Sequence, residues 1–242
     1  MKQILTDYLE ICNKFRTEGL SKVERKSRHS MLQEWAKKEY GKEIVPIADI
    51  QDFWHNNDKI CWNQLFIQKV ICPAVSADLA NNGHEGLIFL FHCFRGHESS
   101  YRYSDSPLAI FCQYCNYKYE PLQLANLLLE YDSSNMDALN YKYHALKEYH
   151  AFSIHEIPSG ILNGMNGASV SDIPVMLKDL DEFEMISKKL DKLDSSLIAD
   201  CRIYYNAYKD YLQNLNRYKN FEDYLNSNSI PYKPYTIRYD YK

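Results

Sequence analysis

A chain of 242 residues, 45% hydrophobic and 14% aromatic, is long enough to bury one large or two small cores. No apolar run approaches the roughly eighteen residues of a membrane helix, and Thr6, Asp7 and Glu10 break the N-terminal "MKQILTDYLEICNK" as a signal-peptide core, so a cytoplasmic location is expected. A net charge of −4 argues against a nucleic-acid grip, and seven cysteines, an odd number scattered through helical patterns, suit a reducing compartment.

Helix signals dominate from the start. Ile4, Leu5, Tyr8, Cys12 and Phe15 share one face of a 3.6-residue period, with Gly19 placed to end that helix, and "SKVE" from Ser21 to Glu24 reads as a capping box opening a second helix to Tyr40. A short helix over 48–55 and an apolar one over 60–72, ended or kinked by Pro73, come next. Glu85 to Phe94 forms another. Ser106 as N-cap and Pro107 at the first helical position start a helix to Tyr119, and Pro121 starts the next. Helical period continues through Leu139, Tyr143, Leu146 and Tyr149 and stops before Pro158. After a glycine-bearing loop, Ser171 or Asp172 caps a helix to about Leu190. Leu197, Cys201, Tyr204, Tyr208, Tyr211 and Leu215 stripe a last long helix to about Leu225. The expected fold is all-α, a stack of antiparallel helix pairs forming a single domain over 1–229, with an extended Tyr-rich tail over 230–242.

"LANLLLEYDSSNMDALNYKYHALK", from Leu124 to Lys147, resembles the junction between tetratricopeptide repeats, with a Leu-Glu helix end, an Asp-Ser turn, Asn, and Ala-Leu opening the next helix. The resemblance covers about one repeat length and implies helix pairs that can stack as an α-solenoid with a concave binding face. Ser133 stands where those repeats commonly carry Pro.

Three constellations bear on chemistry. Cys93, His97, Cys112 and Cys115 have C-x3-H and C-x2-C spacing suited to zinc, but Cys112 and Cys115 fall in an apolar helical pattern where positions three apart share a buried face. His155-Glu156 lies at a helix end; a zinc-protease pattern would need His at 159, where Ser159 stands, so His155 reads as a helix-terminal histidine. "SGILNGMNGASVSD", from Ser159 to Asp172, has spaced glycines before a helix but neither the Lys nor the preceding strand of a phosphate loop. The basic cluster Lys22, Arg25, Lys26 and His29 lines one helix face and reads as solvated.

Charge and tyrosine point instead to protein recognition. Residues 120–200 carry fourteen acidic against six basic side chains, and the chain holds 21 tyrosines against 10 phenylalanines. A helical, tyrosine-rich chain with such an acidic segment resembles, in overall character, the immunity proteins that neutralise toxins in bacterial competition, as in contact-dependent growth inhibition. That resemblance implies a non-catalytic inhibitor with no cofactor, no nucleic-acid or membrane contact, and a cognate toxin partner. Such toxins are commonly basic nucleases, blocked by covering their active sites. The face expected to meet it comprises Asp172, Asp179, Asp181, Glu182, Glu184 and Tyr131, with Tyr204, Tyr205 and Tyr208 as aromatic anchors. Two alternatives stand beside it: a helical enzyme using His155 and Glu156 or a metal on the Cys/His set, and a repeat-type adaptor.

Overall fold

A computed structural model describes residues 2–15, 19–41, 43–57, 60, 63–95, 107–117 and 120–233. These are helical almost throughout, so the all-α class holds, and they divide into two compact units, Met1–Leu124 and Ala125–Lys242. None of their helices is long and apolar enough to cross a membrane.

In the first unit, α1 (Gln3–Lys14) packs on α2 (Lys22–Lys37). The capping box forms as the sequence dictates: Glu24 N–H donates to Ser21 Oγ at 3.2 Å and Ser21 N–H to Glu24 Oε2 at 2.8 Å. Both helices stop earlier than their glycines suggest, at Lys14 and Lys37, so Gly19 and Gly41, with φ of +71° and +84°, shape the connections rather than the caps. Trp35 Nε1 donates across to Ile4 O at 3.1 Å, and the Tyr8 ring stacks on Phe66 at 4.3 Å, locking the pair onto the segment around Phe66.

After α3 (Ile47–His55) comes the main departure from the expected order. Pro73 does not end the helix. The segment runs as α4 (Gln64–Phe66), one π turn (Ile67–Ile71) and α5 (Cys72–Ala80), and the Cys72 N–H reaches back to Ile67 O. The wider turn admits the Pro73 ring and missing N–H without a break. Gly86 lets α6 (Glu85–Arg95) lie on α5, since a Cβ there would meet Val75 Cγ2 at 2.9 Å. Pro107 opens α7, which ends at Tyr114; Ser106 and Tyr119, the expected bounds, lie outside the described residues.

α8 (Pro121–Tyr131), which enters the second unit at Ala125, and α9 (Met136–Ser153) flank the repeat-like turn. Asp132 Oδ1 accepts Ser134 N–H at 2.9 Å, and Asn135 Oδ1 caps α9 by accepting Ala138 N–H at 3.0 Å. α10 (Ile173–Lys189) packs on both α9 and α11 (Ser195–Gln213). Met176, Leu180, Phe183 and Ile186 of α10 are buried with Leu139, Tyr143 and Leu146 of α9 and Leu197, Cys201 and Tyr205 of α11. The expected single terminal helix is two: α11 stops at Gln213, and α12 (Phe221–Ser227) starts where Asn220 Oδ1 accepts Asp223 N–H at 2.8 Å. The tail begins docked, with Tyr204 Oη donating to Pro231 O at 2.9 Å; residues 234–242 lie outside the described set.

Candidate functional site

The glycine loop between α9 and α10 is a connection built on a small hairpin. Leu162 pairs with Gly167 and Asn163 with Asn166, and Gly164 takes φ +60° at the tip. Gly160 serves close approach instead, lying where a Cβ would be 3.3 Å from Tyr208 Oη. Asp172 does not cap α10 with its side chain. It turns back to accept Ser169 N–H at 2.8 Å and Ser169 Oγ–H at 2.7 Å, which lowers its pKa.

The acids of α10 are engaged within the chain. Arg202 reaches Asp181 at 2.8 Å and Glu184 at 3.0 Å, Lys188 reaches Glu184 at 2.6 Å, and the buried Lys142 reaches Glu182 at 2.6 Å. Asp179 is half-buried, and burial, with Glu182 beside it, raises its pKa. The predicted acidic face therefore exists as a ladder of ion pairs between α9, α10 and α11, each locally compensated.

The tyrosine anchors need correction. Tyr205 is fully buried and Tyr204 buried, so neither ring can meet a partner, and Tyr208 is half-buried against Phe221 at 4.9 Å. Tyr131 is 51% exposed at the end of α8, where a contact residue has to be. Tyr205 belongs to a polar knot inside the core: its hydroxyl contacts Ser153 Oγ and lies 2.9 Å from His150 Nδ1, and burial raises its pKa. Among the described residues no hydrogen-bond geometry is met at His150 Nε2. Burial lowers the pKa of this ring from 6.5 to about 4, outweighing the Asp179 backbone, which favours the protonated ring.

Sequence reasoning missed a groove of about 550 Å³ beside the repeat-like turn. Leu129 of α8, Leu139 and Lys142 of α9, and Glu182, Met185 and Ile186 of α10 line it. Met185 is 61% exposed beside the apolar side chains that line the groove. The sequence does hold a signal for it: Met185 stands off the buried 176–180–183 stripe of its own helix. Lys189, at the rim, donates to Ser133 O and so ties α10 to the turn.

Of the residues that could carry chemistry, His155 is exposed, its Nδ1 is 2.5 Å from Phe152 O and its ring lies tilted against Phe152 at 4.5 Å, while its Nε2 lies 4.0 Å from Glu156. That is the arrangement of a helix-end histidine satisfying a terminal carbonyl. Cys93 and Cys112 are buried, Cys115 is half-buried, and His97 lies outside the described residues. Among the described residues no three Cys, His, Asp or Glu side chains are arranged to hold a metal ion. Lys22, Arg25, Lys26 and His29 are exposed, as a solvated helix face requires. A larger groove of about 780 Å³ in the first unit has Lys2, Lys38 and Lys69 in its wall. Lys2 is paired with Glu43 and Lys38 with Asp7, each at 2.5 Å, and Lys69 donates to Ala36 O and Lys38 O.

Fold and surface together define an all-α protein whose second unit offers an apolar groove with a charged rim. No protein-family model matches the chain, and no curated protein or solved structure matches it either.

Proposed function

We propose that the chain is a protein-binding module without chemistry of its own, which neutralises a basic toxin, such as a nuclease, by covering its active site. The observation that supports this reading is Met185, exposed at the edge of a groove floored by Leu139 and Ile186 and rimmed by the Lys142–Glu182 pair. Apolar side chains of this kind, ringed by charge, are where binding energy concentrates. Selectivity for a basic partner rests on net charge rather than on any single acid. Residues 120–200 carry eight more acidic than basic side chains, an excess that Arg202 and the other bases of the second unit offset only in part, so a negative long-range field remains beyond the ion-pair ladder.

A photo-crosslinking amino acid at Met185, compared with one at the hairpin-tip Met165 of the same unit, tests the site in the source cell. A stoichiometric basic protein captured from 185 only, toxic when expressed alone and rescued by this chain but not by Met185→Lys, is the expected result. Crosslinking from 165 alone, or a captured protein whose toxicity the Met185→Lys chain relieves as well as the native one, refutes it.

A further inference from the structure

Two helices of the first unit bring three thiols together. Cys72 and Ser76 stand one turn apart on α5, and Ser76 Oγ lies 3.7 Å from Cys115 Sγ, just past the end of α7. Cys72 therefore shares the face of α5 through which Ser76 meets Cys115, and burial raises the pKa of its thiol. α7 is held in place by packing on the π turn that leads directly into Cys72. Exposure separates the pair: Cys72 is buried, and among the described cysteines Cys115 alone is not.

We propose that Cys115 is an oxidation site for hydroperoxides and that Cys72 resolves it, forming a reversible disulfide between α5 and the end of α7. The Cys115 sulfur attacks one peroxide oxygen, the O–O bond breaks, and the thiol proton passes to the departing oxygen, which leaves hydrogen peroxide as water and Cys115 as a sulfenic acid. The Cys72 sulfur then attacks the Cys115 sulfur, its proton leaves with the hydroxyl as a second water, and the S–S bond closes. Two thiols lose two electrons between them and the peroxide is reduced. The order of roles comes from the surroundings. Cys72 is buried and its pKa raised, keeping it a thiol shielded from solvent oxidant, so it acts second and intramolecularly, where its place one turn from the Ser76 that meets Cys115 supplies a high effective concentration. Neither step depends on the partner-binding groove, which lies in the other unit.

The test uses the full chain, stepwise additions of hydrogen peroxide, alkylation of remaining thiols and mass mapping without reduction. The expected product is a Cys72–Cys115 peptide pair lighter by two hydrogens and restored by dithiothreitol. With Cys72→Ser, dimedone should trap a sulfenic acid at Cys115, and with Cys93→Ser the bridge should form unchanged. A bridge to Cys112 in place of Cys72, passage of Cys115 to sulfinic acid with Cys72 still alkylatable, or an unreacted Cys115 would each overturn the assignment. Because the wild-type map alone distinguishes these outcomes, a variant that failed to fold would not rescue the proposal.

Discussion

Acid should loosen the second unit through His150. The ring is completely buried and held by Tyr205 at Nδ1, and burial lowers its pKa from the free value of 6.5 to about 4. A base whose folded pKa is depressed binds its proton more readily in the unfolded chain. Its stability contribution is therefore complete above pH 6.5 and is lost as the pH falls from there to about 4. At about 1.4 kcal/mol per pH unit, the loss approaches about 3 kcal/mol, a large part of the stability of a unit this size. Tyr205 of α11, Tyr149 of α9 and Phe183 of α10 face the ring and are neutral, and the Asp179 backbone, which favours the protonated ring, offsets only part of the cost of burial.

His150→Gln keeps a polar partner for Tyr205 but cannot titrate. It should weaken the unit at pH 7 by about 1–2 kcal/mol through lost packing and imperfect bonding, and it should flatten the pH dependence. Hydrogen exchange of α9 and α11 peptides, followed by mass spectrometry from pH 7 to pH 4 with correction for intrinsic exchange rates, reads this unit alone. Carboxylates contribute equally to both proteins, so the difference between the two slopes isolates His150. Parallel slopes would refute the argument.

Glu182→Gln should destabilise by about 1–2 kcal/mol because it leaves the buried Lys142 ammonium unpaired, whereas Asp181→Asn, facing a half-exposed Arg202, should change stability by less than about 0.5 kcal/mol; urea melts of both variants measure the contrast, and equal effects would mean the ladder is purely superficial. Gly86→Ala should lower stability by about 1–3 kcal/mol despite the better helix propensity of alanine, since the new methyl meets Val75 on a packed backbone. Recovery in the Gly86→Ala, Val75→Ala double variant is the check, and a stabilised single variant would show that α5 and α6 separate freely.

Most helix starts were readable because capping is settled among neighbours. Ser21 with Glu24, Pro107, Pro121 and Asn135 each satisfy or excuse amides within four residues of themselves, so their meaning survives without knowledge of the fold. Helix ends and interruptions were less so. Pro73 reads as a stop or a kink until the π turn before it is seen, and that turn is chosen by the packing of Ile67, Val70 and Ile71, all buried. Burial of individual side chains within a helix was decided by tertiary structure alone. α11 presents Tyr204, Tyr205 and Tyr208 within about one turn, and only the placement of α9 and α10 beside it makes Tyr205 a core residue bonded to His150 and Ser153. The same holds for the cysteines: a C-x2-C spacing ties Cys112 to Cys115 along the chain, while the thiol that matters to Cys115 lies 43 positions earlier, at Cys72. Local periodicity determines that a face is apolar; which neighbour covers it, and which polar atom it meets there, depends on contacts between residues far apart in the chain.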